Sequence, residues 1–73
     1  MFTLLRFIAL KQRVCADDLA LRFGLSLKAA SMRLLRYHRR GWLRRMEDRP
    51  SGIMFYSLSE KGRQKMLKLA KSR

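Results

Sequence analysis

LALRFGLSLKAASMRLLRYHRRGWLRR, running from Leu19 to Arg45, contains a helix stop, a helix start and a second, longer helix in direct succession. Leu19, Ala20 and Phe23 recur at helical spacing and Gly24 follows them. Glycine tolerates the left-handed turn that ends many helices, and Leu25 is the apolar residue expected just beyond such a stop. Ser26 then reads as an N-cap, its hydroxyl able to accept from an orphan N–H of the next turn. The helix it opens is expected over about 27–40, with Gly41 as its stop. Ala30, Leu34 and Tyr37 lie on one stripe of this helix. Lys28, Ser31, Met32, Leu35, Arg36 and Arg39 fall on the other side. The end of the segment crowds Arg36, Arg39, Arg40, Arg44 and Arg45 around Gly41 and Trp42. Separation of faces resolves the conflict: core and charge occupy opposite sides of one helix. Two helices joined by a short glycine-containing turn form a helix-turn-helix.

Working outward toward the N-terminus, the first of these helices starts near Ala16, with Asp17 and Asp18 in its first turn, where carboxylates favour the helix dipole. Arg13, Val14 and Cys15 form an extended connector. Before it, Phe2, Leu4, Leu5, Phe7, Ile8 and Ala9 predict a helix over roughly 2–12, with an apolar arc broad enough to be covered on more than one side. After Gly41 the period changes. WLRRME and IMFYSL are rich in aromatic and branched residues and predict two short strands. DRPSG between them carries the turn residues, giving a hairpin, or wing, over about 42–58. Ser59 caps a last helix over about 60–71, with Met66, Leu67, Leu69 and Ala70 as its apolar side. The expected fold class is α+β, mostly α: a winged helix-turn-helix of three helices, a two-stranded β-hairpin wing and a C-terminal helix, in one domain over 1–73.

Charge narrows the function. Eighteen Lys and Arg face five Asp and Glu, a formal +13 on 73 residues. Self-repulsion on that scale destabilises a compact state, and solubility requires far less. A polyanionic partner is implied, with nucleic acid first and a membrane surface second. Cys15 is the one cysteine, so no internal disulfide forms, and no Cys/His cluster has metal-ligand spacing. No metal or cofactor is expected, and a reducing cytoplasm, with association to the nucleoid, suits this usage. The apolar start MFTLLRFIALK is broken by Arg6 and lacks a basic leader and a cleavage site, so a folded helix is expected there. No stretch approaches membrane-spanning length. Enzyme activity has no support: no nucleophile–base pairing or phosphate-cradling loop is evident, and the adjacent Asp17 and Asp18 would diverge on a helix.

The quoted segment resembles the "LA..LGLS...V...L..L...GL..R" pattern of winged helix-turn-helix DNA-binding regulators of bacteria and archaea. Leu19, Ala20, Gly24, Leu25, Ser26, Leu34 and Gly41 stand on matching positions. RPSGIMFYSLSEKG is similar to the wing and following helix of the phenolic-acid-decarboxylase-repressor type, where Arg-Pro precedes "YxLTxxG". The likeness to the multiple-antibiotic-resistance-repressor and arsenic-repressor types is smaller. The resemblance covers roughly residues 14–65. Three departures stand out. Cys15 replaces the usual Ser or Thr cap, so the start of the second helix is expected to be weakly capped. Ala30 replaces the usual Val, leaving room for Tyr37 and Trp42. The long extra helices with which many such repressors dimerise or hold a ligand are absent, and no small-molecule effector is expected.

The resemblance and the charge map together imply a double-stranded DNA-binding transcriptional regulator. Lys28, Ser31, Met32, Leu35, Arg36 and Arg39 are the expected major-groove face, with Arg36 reading guanine and Met32 and Leu35 meeting thymine methyls. Leu35 is equally readable as a core or dimer contact. Arg39 and Arg40 are expected at phosphates. Arg44, Arg45 and Arg49 lie on the wing, with Arg49 at its tip for the minor groove; strand alternation alone would leave one of Arg44 and Arg45 merely solvated. His38 is expected to be packed and hydrogen-bonded, and Trp42 to be core. Tyr56 reads as core or as a phosphate donor, and the C-terminal lysines as a solvated face. A homodimer is expected through Phe2, Leu5, Leu67 and Leu69. The competing readings are an architectural or genome-coating protein, an RNA-binding winged helix, a membrane-active cationic peptide and a protein-contact module. A Z-DNA-binding type is disfavoured, because its Asn and Tyr would fall on Ser31 and Leu35.

Overall fold

A computed structural model describes residues 2–71. Its elements, in chain order, are α1 (Phe2–Lys11), α2 (Ala16–Phe23), α3 (Leu27–Arg39), β1 (Leu43–Glu47), β2 (Met54–Leu58) and α4 (Glu60–Lys71). The mostly helical α+β architecture expected from the sequence is the one observed.

The turn between α2 and α3 follows the local chemistry. Gly24 is left-handed at φ 64°, and its N–H donates to the Ala20 carbonyl. The Leu25 N–H donates to the same carbonyl at 3.0 Å, which closes the helix end and turns Leu25 back onto the core. Ser26 Oγ accepts from the Ala29 N–H at 3.1 Å, the N-cap bond of α3. At the far end of α3, Arg40 is the capping residue, Gly41 takes φ 83° and the Trp42 N–H donates to the Tyr37 carbonyl at 3.0 Å. The start of α2 is better held than Cys15 suggested. The Asp18 carboxylate accepts from the Cys15 N–H at 3.1 Å and from its thiol at 3.5 Å, so the acidic half of a capping box is in place.

The two strands pair antiparallel, from Leu43 opposite Leu58 to Glu47 opposite Met54. The extended connector adds a third short piece: Val14 exchanges backbone hydrogen bonds of 2.8 and 2.7 Å with Tyr56. This bridge ties the entry of α2 to the hairpin. The core gathers Leu4 and Ile8 from α1, Val14, Leu19 from α2, Ala30 and Leu34 from α3, and Leu43 and Tyr56 from the hairpin. Burying these side chains is the main stabilising contribution, at roughly 1.5–3 kcal/mol for each large aliphatic group.

α4 returns across α1 and the hairpin. Ser59 anchors it. Its N–H donates to the Trp42 carbonyl at 3.0 Å, its hydroxyl donates to the Gly41 carbonyl at 2.5 Å, and the same oxygen accepts from the Gly62 N–H at 3.0 Å. Gly62 then lies so close to β1's entry that a Cβ there would stand 1.9 Å from the Trp42 carbonyl oxygen. This packing corrects one expectation. Leu5, assigned to a dimer contact, is fully buried within the chain. The broad apolar arc of α1 is covered by the core on one side and by α4 on another. Phe2 and Leu69 are half-buried, and of the four residues expected at that contact only Leu67 is mostly exposed, at 52%.

Candidate nucleic-acid interface

α3 separates its faces as its sequence requires. Ala30 and Leu34 are fully buried, while Lys28, Ser31, Met32, Arg36 and Arg39 are exposed. Leu35 is half-buried and lies outside the core cluster. It lines an open groove of about 300 Å³ with Met32, Arg36, Arg39 and Arg40. An apolar floor with guanidinium walls can meet both base edges and phosphates. Ser31 stands elsewhere, in a notch of about 220 Å³ between α2 and the hairpin, lined by Ala16, Asp17, Ile53 and Met54 among others. Four of the six residues expected on this face, Met32, Leu35, Arg36 and Arg39, therefore line one groove, joined by Arg40, while Lys28 is exposed outside it and Ser31 lines the separate notch. Arg33 was not singled out from the sequence, yet it is exposed on the flank of the same helix. Counting basic residues outside the buried stripe would have found it.

The hairpin carries its arginines on different faces. In the observed register Leu43, Arg45 and Glu47 alternate with Arg44 and Met46. Arg45 shares the pleat face of the buried Leu43 and Tyr56, and Arg44 shares that of Phe55 and Ser57. Both arginines are nevertheless exposed. At the tip, the Asp48 N–H donates to the Ile53 carbonyl at 2.8 Å and the Gly52 N–H to the Asp48 carbonyl at 2.7 Å. Ser51 Oγ donates to Asp48 Oδ2 at 2.7 Å, and the Arg49–Pro50 peptide bond is cis. This closed turn projects Arg49 with its side chain 86% exposed, its Nε 3.9 Å from Glu47 Oε1. So long and exposed an ion pair contributes little and leaves the guanidinium available. Arg13, also missed in the sequence, stacks its guanidinium 4.3 Å from the Phe55 ring centre on β2.

Aromatic groups at the junction are structural. His38 Nδ1 lies 3.0 Å from the Leu43 carbonyl oxygen. A carbonyl only accepts, so Nδ1 carries the proton and donates, tying the end of α3 to β1. Tyr56 is buried in the core, which resolves its two readings in favour of packing. Trp42 is also buried and meets Tyr37 edge-on at 5.3 Å. Arg40 and Lys65 approach the same indole at 5.3 and 5.4 Å from its centre. Among the described residues no group of three His, Cys, Asp or Glu side chains is placed to hold a metal, and no helix is long and apolar enough to cross a membrane.

No protein-family model and no curated protein sequence matches the chain. Solved structures do. The transcriptional regulator BldR from Sulfolobus solfataricus superposes with a TM-score of 0.77 at 23% identity, over 92% of this chain and 48% of that one. The antimony-specific transcriptional repressor AntR superposes with a TM-score of 0.73 at 27% identity, over 97% of this chain and 62% of that one. The chain has the winged helix-turn-helix fold. It spans between about half and three-fifths of the length of these two regulators. In the winged helix α2 and α3 are the helix-turn-helix, the β1–β2 hairpin is the wing, and the α3 groove and the wing tip both carry exposed arginines.

Proposed function

We propose that this winged helix is the double-stranded DNA-binding module of a sequence-specific transcriptional regulator. The observation that carries the reading is the outward face of α3, where Met32 and Leu35 floor a groove walled by Arg36, Arg39 and Arg40. Arg36 is assigned to base edges in the major groove, Lys28, Arg39 and Arg40 to phosphates, and Arg49 to the minor groove or backbone beside it. The regulators BldR and AntR share the fold, which supports the reading. Two-fold pairing belongs to the same proposal, since it doubles the bases read and sets half-site spacing at roughly 34 Å, one duplex turn. Leu10 and Leu21, 73% and 88% exposed, are the most exposed large apolar side chains among the described residues. Leu21 lines a groove between α1 and α2 with Phe7, Lys11, Asp18 and Arg22, Leu10 is exposed on α1, and exposed apolar surface of this kind suits a second copy.

The formal +13 favours a second reading, a coating protein with the same fold and little base preference. Salt titration of duplex binding tests the shared premise. Each phosphate neutralised contributes about −0.9 to the log–log slope, so several contacts give a steep dependence. A flat response contradicts DNA as the partner. The two readings separate on Arg36→Ala, which lowers base preference in a regulator and lowers affinity uniformly in a coat.

A further inference from the structure

On the far side of Arg40 from the α3 groove lies a second basic feature. Lys61, Lys65 and Lys68 recur at the i, i+4, i+7 spacing of one helix face, with Lys71 one turn further. Together with Trp42 they line an open groove of about 500 Å³ along α4. We propose that this groove holds the phosphate backbone of the same DNA duplex, beyond the stretch contacted by α3 and the wing. The inference rests on the DNA reading of α3.

Three observations carry it. First, these cations are uncompensated: among the described residues the only ion pair is Arg49 with Glu47, and the one acid of α4 is Glu60 in its first turn. Second, they converge rather than spread. Arg40 and Lys65 both approach the Trp42 ring, at 5.3 and 5.4 Å, and the Lys61 side chain crosses Gly41, its Cδ 3.3 Å from where a Cβ would sit. A merely solvated helix face lets long side chains repel one another into water. Here one indole ring holds two of the cations beside it, and an anion placed among them relieves their repulsion. Third, Arg40 lines the α3 groove and stands 5.3 Å from the ring centre of Trp42, which lines the α4 groove. The two basic features are thus neighbours around the end of α3, matching an anion that repeats along a line.

Charge also excludes a second copy as the occupant. Pairing two α4 grooves over Leu67 would bring two sets of four lysines face to face. Pairing is assigned instead to the α1–α2 side, where Asp18 beside Lys11 and Arg22 offsets part of their charge.

The test measures salt slopes on a duplex of about 30 base pairs for three proteins: the wild-type chain, a Lys61→Gln/Lys65→Gln/Lys68→Gln variant, and a control carrying Arg6→Gln and Arg63→Gln, two exposed cations that line none of the grooves described. The α4 variant is expected to lose about 2–3 units of slope, and the control less than one. Trp42, the sole tryptophan, reports occupancy of the groove directly: its emission changes on DNA addition in the wild type and changes less in the α4 variant, with far-UV circular dichroism unaltered. Equal losses in both variants, or none in the α4 variant, overturn the inference. Energy transfer between two separately labelled duplexes that the α4 variant abolishes also overturns it, since the groove would then bridge DNA molecules. An Arg36→Gln/Arg39→Gln variant keeps the two levels apart. If it alone loses slope, the α3 reading stands and the α4 inference falls. If the wild-type chain shows no salt-dependent binding, both fall.

Discussion

Gly62→Ala sets two opposing effects against each other in a single methyl group. Within a helix, alanine is favoured over glycine by about 1 kcal/mol, so local propensity predicts a stabilised α4. The tertiary structure predicts the reverse. The new Cβ would lie 1.9 Å from the Trp42 carbonyl oxygen and 2.8 Å from its carbonyl carbon. Both are backbone atoms at the entry to β1 and cannot swing aside. Real Cβ contacts rarely fall below about 3.0 Å, so α4 must retreat by at least about 1.1 Å. The Ser59 bonds to Trp42 and Gly41, at 3.0 and 2.5 Å, lie in the path of that movement. Overpacking costs about 1–3 kcal/mol, and each hydrogen bond weakened adds about 1 kcal/mol. Subtracting the propensity gain leaves a net loss of about 3 kcal/mol. For a domain of this size each kcal/mol shifts Tm by about 4–8 °C, so a fall of about 12–24 °C is expected. Thermal unfolding followed by far-UV circular dichroism reads it, with Gln64→Ala, exposed on the same helix, as a control expected within about 0.5 kcal/mol of wild type. An unchanged or raised Tm for Gly62→Ala would refute the close approach of α4 to Trp42.

Arg36→Ala and Arg49→Ala should differ in kind: the first loses about 1–3 kcal/mol and relaxes preference at one or two base positions, while the second weakens binding most on A·T-rich flanks, where the minor groove is narrow. Equal losses on every sequence, measured by competition binding, would remove the assignment of Arg36 to base edges. Asp18→Ala removes the acceptor for the Cys15 N–H and should cost about 1 kcal/mol, seen as a shift of the denaturation midpoint; no shift would mean the bond adds nothing beyond solvation. Sedimentation of the free protein should show a dimer that Leu10→Asp or Leu21→Asp dissociates and Leu67→Asp does not, and the opposite pattern would return the contact to α4.

Local chemistry was legible in the sequence. Gly24, Leu25 and Ser26 announce a stop and a start through backbone conformation and capping, which depend on neighbours a few residues away. Ala30 and Leu34 opposite Arg36 and Arg39 declare two helix faces by period alone. Long-range features were not legible. The side of α1 that is covered depends on the return of α4, which is why Leu5 read as surface and is core. Val14 read only as extended because its partner, Tyr56, lies over forty residues away. Arg44 and Arg45 obey strand alternation, yet both are exposed, Arg45 even though it lies opposite the buried Tyr56. The convergence of Arg40 and Lys65 on Trp42 joins the end of α3 to α4, and spacing within either carries no trace of it.

The central claim is that α3 reads base sequence in duplex DNA. Selection of bound sites from a random DNA pool tests it most directly, repeated with Arg36→Ala. The account predicts a sharp, two-fold symmetric motif with half-sites one duplex turn apart, which loses information at one or two positions per half-site in the variant. A flat profile from the wild-type chain, or a sharp motif unchanged by Arg36→Ala, would contradict it.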